Sequence, residues 1–148
     1  MSVAARFAAA LEVSERALSA VTEAGAGQPA RTGGWLRMEE LGPLLDSSQS
    51  NHQRIALAAL NGSYPGPEYA QNAWIDLHGY RDMRWQELLA LWVARNRILL
   101  RVISRIPAER LDATMIIGDS PAISLRDWID DYQQHMAHHV AQITATAQ

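Results

Sequence analysis

Apolar residues recur every three or four positions in four stretches of the chain, with polar and charged residues on the opposite side of each repeat. This period is typical of amphipathic α-helices. It predicts four main helices, over residues 3–21, 37–60, 88–106 and 125–143. The last helix is expected to start after Ser124, because the run Ser-Leu-Arg-Asp places Asp127 where its carboxylate can complete an N-terminal cap.

Glycine and proline separate these helices. Residues 25–34 and 61–67 are predicted loops, and residues 69–80 are predicted to form a short helical crossover between the second and third helices. Residues 114–117 favour a short strand that returns through 122–123, although an irregular loop fits the same composition.

Pro43 lies in the first turns of the second helix, so this helix is expected either to begin after Arg37 or to bend. A chain of 148 residues is long enough to bury a continuous apolar core. The pattern therefore predicts one all-α domain over residues 1–148. It is a four-helix bundle with a long crossover between helices two and three and a short turn or hairpin before the last helix.

Composition narrows the function classes. The chain has no cysteine, so it has no disulfide and no thiolate nucleophile of its own. Its 13 basic residues are all arginine, and with 16 acidic residues the formal net charge is -3, which disfavours nucleic-acid binding. The sequence shows no convincing signal peptide and no apolar run of about 20 residues, so we expect a soluble, cytoplasmic protein with no membrane partner.

Candidate chemistry is concentrated in the last predicted helix, which carries three of the five histidines. His135 and His139 are four residues apart, so helical pitch places their side chains on one face, about 5–6 Å apart at Cβ. Two imidazoles at this spacing are how helices commonly present ligands to one metal ion. His138 is rotated by about 100° from His139 and is expected to face solvent or a neighbouring helix.

Several further motifs follow one another in a recognisable order. They are Trp35 with Glu39-Glu40-Leu41, Leu44-Leu45-Asp46-Ser47, Asn51-His52-Gln53-Arg54, Trp74, Leu91-Trp92 with Asn96, and Ser124-Leu125 through Ile143. In this order they resemble the DinB-like superfamily, and within it the YfiT branch. The resemblance covers residues 35–143, and its most specific part is the terminal His-x-x-His-His run.

The resemblance implies an up-down-down-up four-helix bundle, often dimeric. Three histidines would hold a divalent metal, one from the second helix and two from the fourth. It also implies activity as a metal-dependent hydrolase, or as a transferase that joins small thiols such as bacillithiol, mycothiol or glutathione to electrophiles. His135 and His139 match the two fourth-helix ligands. The second-helix position is Pro43, which cannot bind a metal, so the implied site lacks one ligand.

A metal would need a substitute ligand here, because catalytic sites typically use three protein ligands. Asp46 is the first candidate, since it lies about one turn beyond Pro43 and a carboxylate is an acceptable ligand for zinc, nickel or manganese. His52 lies about half a turn around the helix from that face, and the position of His78 stays open.

Two function classes follow. In one, a metal on His135, His139 and Asp46 activates a low-molecular-weight thiol or water for attack on a small-molecule substrate. In the other, a metal-free cavity binds a small ligand or supports a homodimer. The predicted pocket residues in both cases are Gln49, Trp92, Asn96 and Trp128. The simpler structural alternatives are that the histidine pair hydrogen-bonds within a polar core, and that Asp46 forms an ion pair with Arg54 that sets helix register.

Overall fold

A computed structural model describes residues 1–145, in which four long helices are joined by short elements. The helices are α1 (Val3–Ser19), α2 (Glu23–Ala26), α3 (Arg37–Asn61), α4 (Gln71–His78), α5 (Trp85–Ile103) and α6 (Leu125–Thr144). The strands are β1 (Ser63–Gly66), β2 (Thr114–Ile117) and β3 (Ile123–Ser124), and 3-10 turns occupy Tyr80–Asp82 and Ala108–Arg110. The predicted helical bundle is thus confirmed, with its long crossover between α3 and α5 and its hairpin before α6.

The core lies between the four long helices. Helix α3 packs against both α5 and α6, and α1 packs against the same two helices, so α1 and α3 lie opposite each other. The apolar stripes meet in the middle, where Phe7, Trp85 and Trp92 are fully buried. Burial of such apolar surface is the main favourable term in folding. None of the helices within residues 1–145 combines the length and apolarity that a membrane crossing needs.

Helix α3 begins at Arg37 and continues through Pro43, so of the two expected alternatives the later start is wrong. Gly42, the preceding residue, packs directly against the ring of Tyr80. A Cβ at Gly42 would lie only 2.7 Å from Tyr80 Cδ2. Pro43 itself is buried among the core residues of α3. Tertiary packing on this turn therefore supports a helical segment that proline on its own disfavours.

A small sheet lies at one end of the bundle. Strands β2 and β3 form the predicted antiparallel hairpin. Strand β1 lies in a segment expected to be loop, and it pairs in parallel with β2. Pro65 and Gly66 made this segment look like a loop, but β1 is an edge strand, where proline is tolerated because its missing amide faces no partner.

Ser124 caps helix α6 as predicted. Its hydroxyl oxygen accepts a hydrogen bond from the Asp127 amide at 3.1 Å, and the hydroxyl donates to the Asp127 carboxylate at 2.7 Å. This cap fixes where α6 begins, so it also fixes which α6 residues face α3.

Candidate functional site

His135 and His139 lie side by side on α6, as the helical spacing predicted. Their ring centroids are 4.6 Å apart, and the two rings are nearly perpendicular. His139 is buried, His135 is half-buried, and His138 on the next position is exposed. Helix α6 therefore presents two imidazoles on its inner side at the level where it packs against α3.

Glu40 meets this pair from α3. Its Oε2 atom lies 3.7 Å from His139 Nδ1, which is too long for a hydrogen bond. Burial raises the pKa of Glu40. Burial lowers the pKa of His139 to about 4, and the neighbouring His135 and His138 contribute to this lowering. Burial also lowers the pKa of His135. Both imidazoles are therefore neutral at pH 7, and the Glu40–His139 contact is not a pair of full charges.

Asp46 belongs to a different cluster from the histidine pair, contrary to expectation. Its buried carboxylate accepts a hydrogen bond from the Tyr80 hydroxyl, and its Oδ1 atom lies 3.3 Å from His78 Nδ1. Burial raises the pKa of Asp46, while Tyr80 and His78 oppose this shift. The reason is the rotation of the helix. Ser47 lies on the face of α3 that meets α6, and Asp46, one residue earlier, points about 100° away from that face.

The expected ion pair between Asp46 and Arg54 is likewise not found among residues 1–145. The two side chains leave α3 in different directions. Asp46 is held by the crossover, whereas Arg54 turns toward α6 and lies over the ring of Trp128.

The side chains in this region do not reproduce a metal centre with three protein ligands. In the part of the chain that the structure describes, no three His, Cys, Asp or Glu side chains are grouped so that they could hold a metal ion. Pro43 lies one turn from Glu40 and one turn from Ser47, so it occupies the face that meets α6 and offers no donor atom there. The Nδ1 atom of His139 is buried and has no hydrogen-bond partner within residues 1–145.

A cavity of about 320 Å³ opens between α3 and α6 next to His135, and we call it the α3–α6 cavity. It is lined by Ser47, Asn51, Arg54, Tyr69, Trp128, Asp131, Tyr132 and His135. Hydrogen bonds brace its walls: Trp128 Nε1 donates to Asn51 Oδ1 at 2.6 Å, and the Tyr132 hydroxyl donates to Asn96 Oδ1 at 2.7 Å. Its volume falls within the range of about 300–1,000 Å³ that is usual for small-molecule sites.

The four predicted pocket residues have different positions. Trp128 lines the α3–α6 cavity. Asn96 is fully buried behind its wall and holds Tyr132, while Trp92 is fully buried in the apolar core. Gln49 is exposed and lines a separate surface groove, because it is two positions and so about 200° from Ser47 on α3. The prediction is thus wrong for Gln49 and for Trp92 as cavity-lining residues.

From the sequence, the polar residues 46–54 of the second helix are expected to form either an exposed face or the wall of a cavity, but this reasoning did not single out one polar face of α3. Glu40, Ser47, Asn51 and Arg54 are separated by seven, four and three residues, which places all four on one helix face. Each faces α6 or the α3–α6 cavity in the structure. This spacing was the available signal, but a polar stripe on a helix is also typical of a solvent-exposed face.

The fold of this chain is similar to that of solved structures of other proteins. No protein-family model matches the chain, and no curated protein matches it by sequence. The structure of "YfiT from Bacillus subtilis", described as "a probable metal-dependent hydrolase with an unusual four-helix bundle topology", is similar with a TM-score of 0.80 and 21% identity. That match covers 95% of this chain and 83% of YfiT.

A mycothiol-dependent maleylpyruvate isomerase is similar as well, with a TM-score of 0.80 and 14% identity. The match covers all of this chain but 63% of the isomerase, so the chain spans less than two thirds of that protein. A mutant of the same isomerase has a TM-score of 0.79. The chain therefore shares the fold of these structures, a four-helix bundle, as its sequence motifs predicted.

Proposed function

We propose that this chain binds a small molecule in the α3–α6 cavity, and that it does so without the three-histidine metal centre that the DinB-like resemblance implies. One observation carries the proposal. A cavity whose walls are braced by hydrogen bonds lies directly beside a pair of neutral imidazoles, while Pro43 offers no donor atom on the α3 face that meets α6.

The cavity has the properties of a preformed binding site. Trp128 and Tyr132 supply large flat surfaces, and both are held in place by hydrogen bonds to buried asparagines. Ser47 and His135 supply polar groups, and a neutral imidazole can donate one hydrogen bond and accept another. A few convergent polar groups on largely apolar walls are typical of small-molecule sites.

A second candidate function is that of a metal-dependent hydrolase or thiol transferase. It is favoured by the free Nδ1 atom of His139 beside His135, since neutral imidazoles are the form that binds metals. The YfiT and maleylpyruvate isomerase structures support it by fold alone. With no third protein ligand in place, zinc, nickel or manganese would depend on water or a thiol cosubstrate to complete its coordination.

Metal analysis separates the two candidates. The full chain, purified without a histidine tag, is expected to contain far less than one metal ion per molecule and to melt at the same temperature with and without chelator. Stoichiometric metal that is lost in His135→Ala and in His139→Ala, but kept in the control His52→Ala, would support the second candidate and overturn the first.

Ligand binding is tested by NMR with a library of small polar and aromatic fragments. The proposal expects at least one fragment whose chemical-shift changes centre on Trp128, Tyr132 and Asn51. It fails if no fragment in the library perturbs these residues while the protein is folded.

We also propose that the chain is cytoplasmic and that it forms a homodimer, the latter because the DinB-like resemblance implies a dimer. Gel filtration with light scattering should then give twice the mass of 16.4 kDa for one chain. A monomer mass at all tested concentrations would refute the homodimer.

A further inference from the structure

We propose that Arg54 binds a carboxylate group of the ligand in the α3–α6 cavity, so that the natural ligand is a small organic acid. This inference rests on the proposed function, since it requires that the cavity is a binding site. It adds the chemical class of the ligand and the residue that selects it.

The position of Arg54 is unusual for a cation. The residue is 8% exposed, and its guanidinium lies close to two aromatic rings of the cavity wall. Its central carbon is 5.8 Å from the ring centroid of Tyr69 and 5.7 Å from that of Trp128. Such contacts hold the guanidinium in place but leave its in-plane N–H groups free to bind a ligand.

Most hydrogen-bonding capacity of Arg54 is unused. One terminal nitrogen donates to the Pro67 carbonyl at 2.8 Å. A guanidinium has five N–H donors. Its side chain forms no further hydrogen bond within residues 1–145. Its other nitrogen atoms are not fully enclosed by the protein. The remaining donors are therefore not sealed off by protein atoms, and Arg54 is one of the residues that line the α3–α6 cavity.

Arg54 also has no acidic partner in the described part of the chain. By contrast, Arg6 pairs with Asp130 at 2.7 Å and Arg97 pairs with Glu15 at 2.7 Å, although both arginines are far more exposed. A cation that is largely removed from water is costly unless an anion pairs with it. A bound carboxylate would supply that anion, and its two oxygens match the planar fork of a guanidinium.

The other charges of the cavity fit a ligand with one acidic end. Among the lining residues that the structure describes, Arg54 is the only cationic side chain, since His135 is neutral, and Asp131 is the only acidic one. Asp131 is exposed, so water and salt screen its charge, whereas Arg54 is buried. Tyr69 and Trp128 flank Arg54 and offer apolar surface to the rest of an organic acid.

A purely structural role for Arg54 gives a different expectation. Its bond to the Pro67 carbonyl ties α3 to the segment after β1, so any substitution would lower stability by loss of that tie. Such a role would not make binding depend on the charge of the ligand. The comparison of acids with their uncharged amides is therefore the measurement that a structural role cannot explain.

The test is a calorimetric or NMR titration of the full chain with matched pairs: benzoate with benzamide, and phenylacetate with phenylacetamide. We expect each acid to bind at least about tenfold more tightly than its amide, since hydrogen bonds to charged groups contribute this much or more. Arg54→Gln should abolish the preference, and Arg54→Lys should reduce it because lysine keeps the charge but lacks the fork. Arg97→Gln, on the surface between α1 and α5, is the matched control and should keep the preference.

The outcomes separate this inference from the proposed function. If amides bind as tightly as acids, or if Arg54→Gln keeps the preference, the role of Arg54 is overturned while the cavity remains a binding site. If neither acids nor amides bind but neutral fragments still shift cavity residues, the acid ligand is also overturned. If no fragment of any kind perturbs the cavity, the proposed function itself fails.

Discussion

Acidification should destabilise this protein through His139, and His139→Gln should remove much of that effect. Burial lowers the pKa of His139 to about 4 in the folded chain, against an ordinary value of 6.5. Between these two values the unfolded chain binds a proton that the folded chain does not. Stability therefore falls as the pH drops below 6.5, and the fall ends near pH 4.

The magnitude follows from proton linkage. Between pH 7 and pH 5 an unfolded histidine becomes almost fully protonated, while His139 in the folded chain stays neutral. At about 1.4 kcal/mol per pH unit, this difference costs about 2 kcal/mol of unfolding free energy over that interval. His135, whose pKa is also lowered, adds to the loss in the same direction.

Urea unfolding followed by circular dichroism at pH 7 and pH 5 measures the effect. The loss of unfolding free energy between the two pH values should be smaller by about 2 kcal/mol in His139→Gln than in the wild type. His52→Gln removes an imidazole outside the pair and should lose as much as the wild type. Equal losses in His139→Gln and the wild type would show that His139 is not held neutral by burial.

Glu40 should change the unfolding free energy on acidification in the opposite direction to His139. Burial raises the pKa of Glu40, so the folded chain takes up that proton more readily than the unfolded chain, and acidification through Glu40 is stabilising. Glu40→Gln should therefore leave the His139 effect in place and make the total loss on acidification slightly larger. A smaller loss in Glu40→Gln would contradict the direction assigned to this carboxyl group.

Three further substitutions test side-chain positions and contacts inside the bundle. Pro43→His returns a donor to the face opposite the α6 histidines, and the variant should bind about one zinc ion per chain by elemental analysis and calorimetry. Gly42→Ala places a Cβ 2.7 Å from the Tyr80 ring and should lower the unfolding free energy by about 1–3 kcal/mol in urea. Tyr132→Phe leaves the buried Asn96 Oδ1 without its donor and should cost about 1–3 kcal/mol in the same assay.

Each of the three has a control. Pro43→Ala removes the proline without adding a donor, so zinc binding by this variant equal to that of Pro43→His would refute the assigned geometry. The cost of Gly42→Ala should shrink in a Tyr80→Leu background, and an unchanged cost would show that Tyr80 is not the clashing group. An unfolding free energy of Tyr132→Phe equal to that of the wild type would mean that the bond to Asn96 contributes nothing net.

The sequence by itself determined the number of long helices, the cap of α6 and the proximity of His135 to His139. These features are local. Helical periodicity reports which face is apolar, and a four-residue spacing brings two side chains together wherever the helix lies. Strand β1 was missed because its pairing with β2 joins segments about fifty residues apart, and no local pattern encodes that partner.

Only the tertiary structure decided which residues of α3 face the histidine pair. One position along a helix is a rotation of about 100°, so Asp46 and Ser47 point to different neighbours although they are adjacent in sequence. The packing of α3 against α5, α6 and the crossover sets that rotation. This rotation directs Asp46 to Tyr80 and His78, and it turns Glu40 and Arg54 toward α6. The sequence of α3 could not reveal it, because the rotation of a packed helix depends on all of its neighbours at once.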